Sequence, residues 1–256
     1  MDVFGDLLAR DRRSEAPALR TADGRTRSYH ELLTNAFKAG NALRHVGVRE
    51  GVELGIAPVP ALQPVLAFLG AGLLGAVTRF DPAESVESGA RGLLVPAASE
   101  AEYDPGPGTK VAVFGGEPER ADTTNWEETM WSENPSFPPT TFGPETPVLA
   151  AGDEEWSHGE VLSAAAEIAD VYGFAGGTEV VIRTSLATPG AVVAGVIAPL
   201  YSGGTAVLTD AVDTEAAADS EAAADSEAAV ETESLGTVAV GAGPEPATID
   251  PDDVPL

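Results

Sequence analysis

Leu54-Gly-Ile-Ala57, Gln63-Pro-Val-Leu-Ala-Phe-Leu-Gly-Ala-Gly-Leu-Leu74 and Ala76-Val-Thr-Arg-Phe80 follow one another with no charged side chain before Arg79. The middle piece is apolar on every face, so it reads as a buried helix rather than a surface one. The flanking runs are short and apolar, as expected of strands covered on both sides. A buried strand–helix–strand unit of this kind predicts a parallel sheet. The stretch 57–77 is also long enough to be weighed as a membrane span, since about 20 apolar residues cross a bilayer. Pro58, Pro60 and Pro64 break its first third, and Gly70, Gly72 and Gly75 thin its end. A loop followed by a core helix is the better reading, and no membrane partner is expected.

The pattern continues on both sides. Upstream, residues 2–13 read as a short amphipathic helix carrying Val3, Phe4, Leu7 and Leu8. Ala16 to Leu19 reads as a strand, with a hairpin turn at Ala22-Asp-Gly24. Ser28 followed by Glu31 has capping-box spacing. The helix it opens puts Leu32, Leu33, Ala36, Phe37, Ala39 and Leu43 inward, and Gly47 stops it. Downstream come a helix, a strand over Leu93 to Pro96 and another over Lys110 to Phe114. Residues 117–147, with Pro118, Pro135, Pro138, Pro139, Pro144 and Pro147, read as loop.

A second block begins near Val148, with a strand to Ala151 and a helix from Ser157 to Tyr172. A strand from Glu179 to Arg183, an apolar helix from Gly190 to Tyr201 and a strand from Thr205 to Leu208 complete it. From Thr209 the composition changes. Glu215-Ala-Ala-Ala-Asp-Ser220 recurs as Glu221-Ala-Ala-Ala-Asp-Ser226. This period matches neither a helix nor a strand, so it makes no apolar face and reads as either a solvated helix or a disordered spacer. Thr237 to Val240 is a further strand candidate ahead of a Pro-rich acidic tail. The expected organisation is an α/β subdomain over 1–147, a second α/β block over 148–210 and an acidic, Ala-rich, low-complexity segment over 211–256. The fold class is α/β, with mostly parallel sheets flanked by helices.

Charge narrows the function. Lys and Arg number 14 against 41 Asp and Glu, a net charge of −27. Such a surface repels itself where the Debye length is about 8 Å, and much less at molar salt, where it is about 3 Å. A salt-adapted cytoplasmic protein is expected, and a sequence-independent nucleic-acid partner, which needs a basic surface, is not. The charge is uneven. Residues 1–50 hold nine basic groups against seven acids, whereas residues 121–256 hold Arg183 against 25 acids. The N-terminal segment therefore faces either the rest of its own chain or an anion.

No cysteine is present, which removes disulfides, iron–sulfur clusters, thiolate zinc sites and a cysteine nucleophile. Gly70-Ala-Gly72-Leu-Leu-Gly75 matches the letters of a dinucleotide fingerprint but ends a helix instead of opening one. No acid stands roughly 20 residues on, where Val95 sits, so glycine-mediated helix packing is expected. There is no Walker loop and no nucleophile elbow. His30, His45 and His158 are far apart in sequence. His158-Gly-Glu160 has the spacing that begins a zinc deaminase motif, but the cysteines that complete it do not exist, so His158 is read as a residue at a helix start. No catalytic, cofactor-binding or metal-ligating residue is assigned, and no cofactor is expected.

Several phrases resemble the adenylate-forming family of acyl-CoA synthetases, acetyl-CoA synthetase-like ligases and luciferases. These are Ser28-Tyr-His-Glu-Leu32, Asn41-Ala-Leu43 through Gly47-Val-Arg-Glu-Gly51, and Ala67-Phe-Leu-Gly70 through Gly75-Ala-Val77 with Phe80-Asp-Pro82. Ser157-His-Gly-Glu-Val-Leu162 and Gly190 to Leu208 continue the series in the family's order. The resemblance covers residues 2–210 and implies part of that family's N-terminal domain. It also implies a phosphate loop rich in Ser, Thr and Gly just before Ser157, where this chain has Ala150-Ala-Gly-Asp-Glu-Glu-Trp156. Val52 stands where an Asp is expected. The adenine- and ribose-binding motifs and the lid with its catalytic lysine belong to the family's other half, and both lysines here, Lys38 and Lys110, lie early. The resemblance thus implies a degenerate, non-catalytic relative from a halophile, an accessory or regulatory subunit partnered with a full-length acyl-CoA synthetase. Two alternatives stand beside it. One is a residual AMP- or acyl-binding protein or ligase-like enzyme, with a pocket lined by 63–77 and 190–201. The other is an unrelated soluble α/β protein.

Overall fold

The computed structural model describes residues 1–138, 141–209 and 234–256. The chain opens with α1 (Phe4–Leu7), a 3-10 turn at Arg10–Arg12, β1 (Pro17–Arg20), β2 (Thr26–Ser28) and α2 (Tyr29–His45). It continues through β3 (Glu53–Ile56), α3 (Leu62–Leu74), β4 (Val77–Arg79), α4 (Pro82–Ser88), β5 (Gly92–Pro96) and β6 (Lys110–Phe114). Next come β7 (Thr124–Asn125), α5 (Trp126–Ser132), β8 (Pro147–Ala151), β9 (Glu154–Ser157), α6 (His158–Val171) and β10 (Glu179–Ile182). α7 (Pro189–Val192), a π turn at Val193–Ile197, α8 (Ala198–Ser202), β11 (Thr205–Leu208), β12 (Val238–Val240) and β13 (Ala247–Ile249) complete it.

These strands form two sheets, ordered β13-β12-β10-β11-β1-β2 and β7-β6-β5-β3-β4-β8-β9. Every neighbouring pair is parallel except β1–β2 and β8–β9, which are antiparallel hairpins at sheet edges. The two orders repeat one plan. A hairpin leads into a capped helix, then a strand, a buried helix and a second strand, and further strands return to the other side of the first, three in the first half (β5, β6, β7) and two in the second (β12, β13). Each half also lends its hairpin to the other half's sheet. β1 pairs with β11 through Leu19 and Ala206, and β8 pairs with β4 through Leu149 and Thr78. The sheets therefore do not divide at residue 147.

Local chemistry explains the helices. Ser28 and Glu31 exchange capping hydrogen bonds, 2.9 Å from Ser28 N–H to Glu31 Oε2 and 3.2 Å from Glu31 N–H to Ser28 Oγ. Ser157 and Glu160 repeat the arrangement at α6, at 2.8 and 3.3 Å. The apolar helix over 190–201 is interrupted by the π turn because Pro199 has no N–H for the carbonyl of Gly195.

The glycines of the 70–75 motif serve packing. A Cβ on Gly70 would lie 2.6 Å from the backbone nitrogen of Gly40 on α2. One on Gly72 would collide with the Phe4 ring, and Gly75 ends α3 at φ 69°. Gly70→Ala is accordingly expected to destabilise the fold by about 1–3 kcal/mol, the range for overpacked cores, measured as a lower urea midpoint with an unchanged slope.

The basic N-terminal segment turns largely toward its own chain. Arg12 donates to the carbonyls of Leu200 (2.6 Å) and Tyr201 (3.1 Å) at the end of α8. Arg20 pairs with Glu179 at 3.1 Å, and His45 lies 2.8 Å from Glu133.

Besides β9 and the π turn, other elements depart from the sequence reading. The amphipathic helix expected over 2–13 is only α1 and a 3-10 turn. The loop expected over 117–147 contains α5, capped by Asn125 and anchored by Trp126, whose Nε1–H donates to Gln63 at 2.8 Å. The tail contains β13. The Ala-rich repeat over 215–226 lies outside the described residues. Among the described residues no helix is long and apolar enough to cross a membrane.

Candidate functional site

The segment expected as a phosphate loop is a closed hairpin. Ala151 pairs with Glu154, and Ala150 with Glu155, so Gly152 and Asp153 alone make the turn. Gly152 supplies the positive φ, 54°, that so short a turn requires. Beneath it lies Arg79, at the end of β4 and only 8% exposed. Its Nη1 donates to Gly152 O and to Glu84, both at 2.9 Å, and its Nε approaches Glu53 at 3.4 Å. Ser88 Oγ donates to the same Glu53 carboxylate at 2.7 Å. Burial alone would make Arg79 easier to deprotonate, but Glu53 and Glu84 outweigh it and hold the guanidinium charged. The cation is thus committed to two carboxylates and the turn carbonyl, while Asp153, Glu154 and Glu155 are exposed around it.

Next to the hairpin stands His158, fully buried between Phe142, stacked at 5.1 Å, and Phe4, edge-on at 4.9 Å. Its Nδ1 accepts the Phe4 N–H at 3.3 Å, which places the ring proton on Nε2, an atom with no hydrogen-bond partner among the described residues. Burial pushes its pKa down to about 4. The imidazole is neutral at pH 7 and shielded from solvent. Glu160 is engaged by Ser157, whose N–H and O–H hold its carboxyl below the ordinary range. The His158-Gly-Glu160 spacing therefore serves a core residue and a cap. His30 is exposed and His45 is held by Glu133, so the structure does not bring the three histidines together. Among the described residues no group of three or more His, Asp or Glu is placed to hold a metal ion.

In open parallel sheets, ligands favour the carboxyl ends of the strands where the order reverses. In the first sheet this place lies between β10 and β12, and a buried ion pair fills it. Arg183 donates from Nε to Glu245 Oε2 at 2.9 Å and from Nη2 to Oε1 at 2.5 Å. The Leu235 N–H also donates to Oε1, at 3.2 Å. A side chain on Gly243 would run into the pair. The apolar segments where a retained acyl pocket was expected are packed, with Val65 to Leu69 and Val192 to Ala194 at most 1% exposed.

Clefts open elsewhere. One of about 320 Å³ lies between the β1–β2 turn and the start of α3, lined by Thr21, Ala22, Asp23, Arg25, Arg27, Pro60, Ala61 and Leu62. Another, about 490 Å³, is lined by Glu145, Glu160 and Glu167 among others, and a third, about 430 Å³, by His45, Glu128 and Glu133. Arg79 and Glu245 were not singled out in the sequence, and Arg183 stood out only as the lone base of residues 121–256, with no role attached. The available signal was a charge beside an apolar run, clearest for Arg79.

No protein-family model and no curated protein sequence matches this chain. Solved structures do. The anthranilate CoA ligase AuaEII, in complex with anthranoyl-AMP, superposes with a TM-score of 0.71 at 21% identity over 80% of this chain and 44% of its own. A benzoate CoA ligase from Burkholderia xenovorans LB400 gives 0.66 at 22% identity over 81% and 45%. ATP-bound MatB from Rhodopseudomonas palustris gives 0.68 at 16% identity over 80% and 44%. The fold is that of part of the N-terminal domain of adenylate-forming acyl- and aryl-CoA ligases. The chain spans less than half the length of these ligases.

Proposed function

We propose that this chain is a degenerate relative of the adenylate-forming ligases that does not form adenylates and acts as an accessory or regulatory subunit beside a full-length acyl-CoA synthetase. The observation that carries the reading is the two-residue turn Gly152-Asp153, which closes β8 on β9 where the resemblance calls for a phosphate loop. A phosphate cradle needs a run of backbone N–H groups turned toward one anion. A two-residue turn in a paired hairpin has no such run, and Asp153, Glu154 and Glu155 repel a polyphosphate. The net charge of −27 supports placing the protein in a salt-rich cytoplasm.

The test is carboxylate-dependent exchange of labelled pyrophosphate into ATP. It is run in about 2 M KCl with the chain alone, with a full-length synthetase from the same cell, and with both. No exchange by the chain alone is expected, together with a changed exchange rate and a sedimenting complex when both are present. Carboxylate-dependent exchange by the chain alone overturns the non-catalytic reading, and an unchanged rate without a complex overturns the subunit reading.

A further inference from the structure

We propose that the cleft between the β1–β2 turn and the start of α3 binds a small phosphate monoester. Three features converge there. Arg25 and Arg27 reach into it from the hairpin, and Ala22, Pro60, Ala61 and Leu62 give it apolar walls. Among the described residues Arg27 forms no ion pair, and Arg25 meets only Asp23, at 3.3 Å and largely in water, a pairing that exchanges readily. Asp23 also lines the cleft, and hydrogen bonds from Thr21 and Arg25, helped by the charges of both arginines, hold its carboxyl below the ordinary range; two guanidiniums against this one carboxylate leave an excess of positive charge for another anion. The opposite wall starts the 13-residue α3, which has no side-chain cap and no acid in its first turn. Its N-terminal partial charge adds to that of the arginines.

The internal repeat sharpens the choice. Of the two equivalent hairpins, β8–β9 carries Asp153, Glu154 and Glu155 at its turn and no base, whereas β1–β2 carries Arg25 and Arg27 against Asp23 alone. The second hairpin rejects an anion that the first accepts. A guanidinium matches the planar, bidentate geometry of phosphate oxygens. About 320 Å³ exceeds the needs of free phosphate and lies in the range of small-molecule pockets, so an organic group attached to the phosphate would rest on the apolar walls. This inference is independent of whether β8–β9 binds ATP.

Amide chemical shifts followed by ¹H–¹⁵N correlation spectroscopy test it, with inorganic phosphate, glycerol phosphate and acetate added at constant ionic strength in KCl. Saturating shifts confined to 21–27 and to Leu62 and Gln63 are expected, at lower concentration for glycerol phosphate than for phosphate, and weakest for acetate. Arg25→Gln with Arg27→Gln is expected to weaken binding roughly ten-fold or more. The single Arg25→Gln variant, at an exposed position, keeps the test valid if the double variant fails to fold. Tighter binding of free phosphate than of the ester overturns the monoester assignment, and equal or tighter acetate binding overturns phosphate. Shifts spread evenly over the surface, or unchanged in the variants, overturn the site.

Discussion

Glu245→Ala is expected to lower the unfolding free energy by about 3–5 kcal/mol, the range for removing one partner of a buried ion pair. The Glu245 side chain is fully buried against Arg183, itself 3% exposed. Removing the carboxylate takes the bidentate acceptor from a guanidinium that water cannot reach, and leaves the Leu235 N–H without its acceptor. Burial pushes the Glu245 carboxyl up, but the Arg183 hydrogen bonds, the Leu235 N–H and the adjacent positive charge together hold it below the ordinary range. A depressed carboxyl contributes stability that is full above its unfolded pKa and lost as pH falls through the folded one. The deficit of Glu245→Ala relative to wild type should therefore shrink below about pH 4. Arg183→Met with Glu245→Leu should recover much of the loss, because it removes both desolvated charges. Urea unfolding of the three variants checks this. A loss under about 1 kcal/mol in Glu245→Ala would show that the pair is not the seal described.

His158 gives the second large effect, and it too costs the fold stability as pH falls, in a higher pH window. Its folded pKa of about 4 lies below the ordinary 6.5. Above pH 6.5 both folded and unfolded states hold it neutral, and it adds no pH dependence. Between 6.5 and 4 the unfolded state takes a proton that the folded state refuses, so stability falls with pH. The difference of roughly 2.5 units corresponds to about 3 kcal/mol. His158→Leu removes the titration together with an Nε2–H that has no partner among the described residues. Relative to wild type, the variant should gain about 3 kcal/mol between pH 7 and pH 4. Surface carboxylates titrate alike in both proteins and cancel in the comparison. Unfolding midpoints at several pH values in about 2 M KCl supply the measurement, and parallel profiles would contradict the buried neutral imidazole.

Much of the architecture was legible where a local rule acts alone. The capping box at Ser28 and Glu31 marked the start of α2, the helix read from Ser157 to Tyr172 matches α6 within one residue at each end, and the apolar 63–74 run marked the buried α3. The strands β3, β5, β6, β10, β11 and β12 announced themselves as short apolar runs. Elements defined by a distant partner were not legible. β9 is an edge strand whose Glu154 and Glu155 face water, so its composition is that of an acidic loop. Nothing in periodicity says that β1 joins β11 at the far end of the chain, or that the two hairpins are exchanged. α5 has two buried side chains, Trp126 and Met130, too few to show a helical period. The candidate site divides the same way. That Asp153, Glu154 and Glu155 stand where the resemblance implies a loop rich in Ser, Thr and Gly could be read from the letters, but the two-residue closure and its clamp by Arg79 could not. Among 41 acids, Glu245 has no sequence mark that sets it apart.

The closed β8–β9 hairpin is tested most directly by thermal unfolding in about 2 M KCl with and without saturating Mg-ATP. A ligand at 100 times its dissociation constant adds about 2.7 kcal/mol of stability, a shift of roughly 5–10 °C for a chain of this size. No shift is expected, because the turn offers no phosphate cradle. A reproducible, concentration-dependent upward shift would contradict the closed hairpin and return the chain to the nucleotide-binding ligases.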